Sequence, residues 1–255
     1  MSNASIGELA FASESFRVGS ILSKSLKLFL GNFPKYFLFG AVAALPHLIS
    51  AIYVVEVARM VLSLSKGALL ASEIGFLFFW VAVFSVCETA LIYGAFQDIR
   101  GRSFEIGASI WRAPSRFIPA IGTAICAVAL VIAGTALLAV PGLICLTMFF
   151  VVVPVCVVES LGPIRSLSRS RELTKGHRWQ IFAIYLVPAI VISIFNFVLL
   201  RFGIRFAGIA GYATGTFLLT AIGSTYQAIV NIVTYHGLRS TKEGLDIEHL
   251  AAVFD

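Results

Sequence analysis

Six stretches of this chain are each too long and too apolar to be hidden in a soluble core, and they decide what it can fold into: Phe33–Val55, Phe76–Gln97, Phe117–Val140, Gly142–Val158, Trp179–Leu200 and Gly211–Tyr235. A bilayer core about 30 Å thick is crossed by about 20 helical residues, because each residue rises about 1.5 Å. Inside lipid the backbone has no water to bond, so a span of this kind closes its own hydrogen bonds as a helix. The composition agrees, with 59% hydrophobic and 13% charged residues and a mean hydropathy of +0.95 over 255 residues. The expected fold is therefore an all-α, polytopic membrane protein with six transmembrane helices.

The connections suggest how the spans pair. Pro141 and Gly142 turn directly out of the third span into a short fourth, so those two form a hairpin. The segment Glu56–Glu73 keeps Val57, Met60, Val61 and Leu64 at helical spacing but carries Arg59 and Lys66, which predicts a helical extension over the outer face. Three hairpins result, each preceded by a polar, basic segment. Residues 1–32 read as an arm with an amphipathic interfacial helix, 33–235 as the six-helix domain and 236–255 as a tail. The first fifteen residues hold two Glu, no basic residue and no apolar run, so no cleavable signal peptide is expected and the first span directs insertion.

Basic residues set the orientation. Arg17, Lys24, Lys27, Lys35, Arg100, Arg102, Arg112, Arg116, Arg165, Arg169, Arg171, Lys175, Arg178, Arg239 and Lys242 fall on one side of the six-span scheme, against Arg59, Lys66, Arg201 and Arg205 on the other. Both termini are expected in the cytoplasm. The net charge of +6 does not indicate nucleic acid, because the aromatic residues lie inside the spans and not among the basic groups. It is better read as a signal for topology and for lipid headgroups.

Within the basic segments, GPIRSLSRSRELTKG (Gly162–Gly176) reads as one short helix, since Pro163 suits a first helical turn and Gly176 the position past a helix end. Glu172 stands three residues from both Arg169 and Lys175, Ile164 and Leu167 offer a small apolar edge, and Trp179 marks the membrane boundary. Nearer the N-terminus Val18, Leu22, Leu26, Phe29 and Phe33 recur every three or four residues, with Ser20, Lys24 and Lys27 elsewhere around the helix. That pattern predicts an in-plane amphipathic helix. SKSLKLFLG (Ser23–Gly31) aligns with SRSRELTKG (Ser168–Gly176), and FEIGASIWRAPSRF is a weaker third copy, which suggests an internal repeat. The two segments are either ordinary positive-inside flanks or a collar in which Lys24, Lys27, Arg165, Arg169, Arg171, Lys175 and Arg178 meet anionic lipid headgroups.

The run PGLICLTMFFVVVPVCVVESLGPIRSLSRSRELTKGHRW, with Pro141, Gly142, Pro154, Glu159, Gly162, Pro163, Arg169, Ser170, Leu173, Thr174, Gly176 and Trp179, resembles the family of bacterial six-helix proteins named for the membrane domain of glycerophosphoryl diester phosphodiesterases. YGAFQDIRGRSFEIGASI fits the same family, and the likeness covers roughly Tyr93 to Phe182. It implies the hairpin architecture and a bacterial inner membrane. It implies no catalysis, because in fused members the phosphodiesterase chemistry resides in a separate soluble barrel, for which the short tail here leaves no room.

Motifs for chemistry are missing from the sequence. His47, His177, His236 and His249 are scattered without metal-ligand spacing, and there is no P-loop or GxSxG. Cys87, Cys126, Cys145 and Cys156 lie in apolar runs and read as small buried hydrophobes. No enzyme activity and no cofactor are expected. Polar residues inside the spans are the remaining candidates. Glu88 lies about 13 Å from the nearer end of the second span and reads either as a proton or substrate relay or as a hydrogen-bond partner of Asn196, Gln227 or Asn231. Glu159 closes the fourth span and is expected to pair with Arg165 or Arg169. His47 beside Pro46 is expected to fill a kink, and Gly211 and Gly215 to permit close helix packing. The functional expectation is a non-catalytic membrane protein in membrane organisation or lipid-associated processes, or an accessory subunit with a protein partner in the membrane. The alternative is a small transporter using Glu88.

Overall fold

The computed structural model describes residues 16–52, 66–99 and 114–243. Among them lie nine α-helices: α1 (Val18–Gly31), α2 (Phe33–Ile52), α3 (Lys66–Ile99), α4 (Pro114–Leu137), α5 (Ala139–Met148), α6 (Val152–Glu159), α7 (Pro163–Thr174), α8 (Arg178–Val198) and α9 (Ile204–Glu243). A π-helical turn, Leu199–Gly203, leads from α8 into α9. Ile74–Phe96, Phe117–Leu137, Ala139–Glu159, Arg178–Gly203 and Ala210–Glu243 are long and apolar enough to cross a bilayer, and α1 with α2 makes a sixth candidate that is bent by 96°. The all-helical, polytopic membrane architecture expected from the sequence is what the chain adopts. Of the extension expected over Glu56–Glu73, residues 56–65 lie outside the described residues, and the remainder belongs to α3. The first ten residues of FEIGASIWRAPSRF, the side chain of His47 and residues 244–255 lie outside them as well.

Local chemistry sets the turns. Asn32 ends α1, and its carbonyl accepts the amides of Lys35 and Tyr36, which starts α2 at a new angle. Asp98, at the end of α3, fixes that bend by accepting Asn32 Nδ2 at 2.7 Å and Tyr36 Oη at 2.6 Å. The turn between the third and fourth spans falls earlier than the sequence suggested. Leu138 alone is extended (φ −165°, ψ 155°), and Pro141 sits in the first turn of α5, where its missing N–H costs nothing. Gly142 is needed not for the turn but for closeness, because a Cβ there would lie 2.2 Å from Thr135 Oγ1 and 2.9 Å from Thr135 Cα.

The fourth span breaks at Phe149–Val151, between α5 and α6. Residues Val152 to Val157 of α6 are all buried, as an all-round apolar helix must be, among α3, α4, α7 and α9. The helix expected at Pro163–Gly176 forms as α7, with Pro163 at its start and Gly176 past its end at φ +92°. Its inner face is not apolar: Ser166, Ser170 and Thr174 are buried with Leu173. Leu167 packs toward the core while Ile164 is 81% exposed, so the two do not form one outward edge.

The long helix α9 is the centre of the bundle and packs on α1, α2, α3, α6, α7 and α8. Its closest approach is to α2, where a Cβ on Gly40 would meet Thr225 Oγ1 at 1.9 Å and the Ala221 carbonyl oxygen at 2.3 Å. Its helix does not stop at Tyr235 but continues to Glu243, so the first part of the expected tail belongs to the bundle. Gly208 interrupts it near the start, and Gly215 packs on Leu199, inside the bundle. By contrast α8 is peripheral, with only 11% of its apolar window buried.

The repeat suggested by sequence has a counterpart in burial. Ile21, Ser25 and Phe29 of α1 face inward, and the residues aligned with them on α7, Ser166, Ser170 and Thr174, do the same. Of the stripe expected on α1, Phe29 is buried and Val18, Leu22 and Phe33 pack against the core, while Leu26 is exposed. Ser25 can take an inner position because its hydroxyl is satisfied locally by the Ile21 carbonyl at 2.8 Å.

Candidate functional site

At one end of the bundle α6, α7 and α9 are joined by a closed ring of five side chains. Glu159 accepts Tyr235 Oη at 3.0 Å and Arg169 Nε at 3.1 and 3.3 Å. The other arm of Arg169 bonds Glu243, Glu243 accepts Arg239 Nε at 2.8 Å, and Arg239 donates back to Tyr235 Oη at 3.3 Å. Two carboxylates balance two guanidinium groups, so the ring is neutral. Glu172 flanks it at 4.0 Å from Arg169, and Lys242 bonds the Glu172 carbonyl. Of the two partners expected for Glu159, Arg169 is the one it takes, and Glu172 makes no ion pair with Lys175 among the described residues.

The inner face of α7 has a separate task. Ser170 Oγ donates to the Met148 carbonyl at 2.7 Å, and Thr174 Oγ1 reaches the same oxygen at 3.4 Å. Where the fourth span breaks, the Met148 carbonyl is capped by α7 hydroxyls.

The outer face of α7 carries the rest of the basic residues. Arg165, Arg171 and Lys175 are exposed, beside Ile164 and an 82% exposed Trp179. Arg178 is half-buried, and its Nε has no hydrogen-bond partner among the described residues. On α1, Lys27 is exposed and Lys24 half-buried. The two helices are tied to this end through their flanks and α9: Phe16 sets its ring edge against His177 at 5.1 Å, Ile21 and Phe16 close over Gly237 of α9, and Tyr226 Oη of α9 donates to the Leu22 carbonyl at 3.3 Å. Six of the seven expected headgroup contacts therefore stand outside the ring on or beside α1 and α7, and Arg169 stands within it.

In the seam between α3 and α9, Asn231 Nδ2 donates to Glu88 Oε1 at 3.0 Å, and Gln227 Nε2 donates to Asn231 Oδ1 at 3.1 Å. Asn196 is not part of this chain of bonds; it is exposed on α8 and donates to its own Ile192 carbonyl. Cys87 and Cys156 are buried, and Cys126 and Cys145 half-buried, all as free thiols. No group of three or more His, Cys, Asp or Glu that could hold a metal ion occurs among the described residues.

Several residues that organise this end were not singled out from the sequence. Tyr235, Arg239 and Glu243 stand at i, i+4 and i+8, a signal for one polar helix face that was legible but sat beyond the expected end of the span. Asn32, Tyr36 and Asp98 carried no such pattern, because their contact joins positions more than sixty residues apart. No family model, curated protein or solved structure matches the chain.

Proposed function

We propose that this polytopic membrane protein is non-catalytic and gathers anionic lipid headgroups at its basic end, serving membrane organisation or another lipid-associated process, alone or as an accessory subunit. In this reading it lies in a bacterial cytoplasmic membrane with both termini inside, as its resemblance to the six-helix phosphodiesterase-associated membrane domains implies. The observation that carries the reading is the outward face of α7. There Arg165, Arg171 and Lys175 stand exposed beside Ile164 and Trp179, so that cationic groups and apolar side chains share one surface. Such a surface suits the boundary layer of a bilayer, where each cation near an anionic leaflet contributes about 1 kcal/mol and Trp sits at headgroup level. The exposed Leu26, Lys27 and Leu30 of α1 repeat the combination.

The test is lipid retention. Protein extracted in mild detergent and purified in low salt should carry anionic phospholipid in excess of its share of the membrane. Substituting Arg165, Arg171 and Lys175 together by Gln should lower that excess, and raised salt should lower it in the wild type, because surface attraction is screened beyond a Debye length of about 10 Å at 0.1 M. Equal lipid content in wild type and triple variant removes the lipid role. A stoichiometric protein partner that persists through the same purification identifies the accessory subunit.

A further inference from the structure

The α3–α9 seam holds a carboxyl group that makes no ion pair among the described residues. Glu88 is 6% exposed, and the amide of Asn231 is its hydrogen-bond partner. One turn earlier on α3, Ser85 is fully buried and its hydroxyl has no hydrogen-bond partner among the described residues; Thr234, one turn beyond Asn231, is in the same state. Helical hydroxyls ordinarily donate to the carbonyl four residues back, as Thr89 does to Ser85 at 2.6 Å. An idle buried hydroxyl one turn from a buried carboxyl is the signature of a place where something small is bound.

Charge balance points the same way. The elements packed on α3 are α2, α4, α6 and α9. Tyr36 of α2 is bonded to Asp98, Glu159 of α6 to Arg169 and Tyr235, and Arg239 and Glu243 of α9 to each other. None of these, nor Cys87, Tyr93, Cys156, Tyr226 or Lys242, makes an ion pair or hydrogen bond with Glu88 among the described residues. A bare carboxylate in an apolar seam is costly and calls for a counter-charge. The Asn231 carboxamide can supply either polarity, since turning it end for end replaces its N–H donor by its carbonyl oxygen, and Gln227 can follow.

We infer that Glu88, with Ser85 and the side-chain amides of Asn231 and Gln227, forms a binding site for one exchangeable monovalent cation, a proton or an alkali-metal ion. The site is independent of the headgroup-binding role. Its test uses the full chain in nanodiscs of neutral lipid. Thermal midpoints are compared in sodium, lithium and choline chloride at equal ionic strength, and the infrared spectrum is searched for the carbonyl band of a neutral carboxylic acid. An alkali ion as occupant raises the midpoint over choline, and Glu88→Gln abolishes the rise. A proton as occupant leaves the midpoint indifferent to the salt and gives an acid band that Glu88→Gln removes. A wild type showing neither response overturns the site. Should Glu88→Gln fail to fold, Ser85→Ala leaves the carboxyl in place, and it should weaken the alkali response or shift the acid band; an unchanged response overturns the proposal.

Discussion

Arg169 and Arg171 stand two positions apart on α7, yet only Arg171 turns its charge outward. Arg169 is held by Glu159 and Glu243, with side chains between 16% and 28% exposed, so its guanidinium is already committed. Arg169→Gln should therefore leave lipid retention unchanged and lower thermal stability, by about 1 kcal/mol once solvent screening of these partly exposed pairs is counted. Arg171→Gln should do the reverse, reducing anionic lipid with no change in midpoint. Thermal unfolding and lipid analysis on the same two preparations check both outcomes, and a loss of lipid from Arg169→Gln alone would break the assignment. Gly40 gives a second prediction at this scale. An added methyl meets the Ala221 backbone oxygen at 2.3 Å, which no side-chain movement relieves, so Gly40→Ala should cost about 1–3 kcal/mol by overpacking. Adding Thr225→Ala should not rescue it, because the obstructing atom belongs to the backbone.

Among the elements, α7 owes its place to hydroxyl groups more than to apolar packing. Ser170 and Thr174 share the Met148 carbonyl at the break between α5 and α6. Ser170→Ala should leave that acceptor short of its stronger donor and cost about 1–3 kcal/mol. Hydrogen exchange should quicken in α7 and around Phe149–Val151 before other helices, and uniform protection across the bundle would show that the hydroxyls matter little. This element also shows what sequence could and could not supply. Pro163 and Gly176 fixed its ends because each carries a backbone constraint that needs no neighbour. Its inner face was not legible, since serine in a helix looks like a solvated residue until a broken span presents it with a carbonyl. The exchange on α1 has the same origin: Ser25 faces in and Leu26 out, against hydropathy, because the Ser25 hydroxyl is satisfied by the Ile21 carbonyl. Spans were readable from length and apolarity alone. The ring, the Asp98 bend and the Glu88–Asn231 bond depend on pairings across the chain, and of these only Glu159 with Arg169 and Glu88 with Asn231 were anticipated, each among several partners.

At the scale of the whole molecule, the bundle gathers its basic helices at one end. The C-terminal part of α9 touches both: Gly237 lies against Ile21 and Phe16, and Glu243 bonds Arg169. The Asp98 end of α3 joins them through Asn32 and Tyr36. Fifteen of the nineteen Lys and Arg residues were assigned by sequence to this side, and packing places α1, α7 and the end of α9 together without any reference to a membrane. The described basic helices thus share one end, and the positive-inside tendency predicts that end on the cytoplasmic side. Reporter fusions after Asp255 and within Arg165–Arg178 should accordingly report the cytoplasm, and fusions between Arg59 and Lys66 the opposite side. The ring sharpens this test. If Arg169 and Glu243 are held in one ring, the Arg165–Arg178 fusion and the C-terminal fusion must read the same compartment, whatever that compartment is. Opposite readings from those two sites would contradict the fold itself, whereas a shared external reading would leave the fold intact and reverse only its orientation.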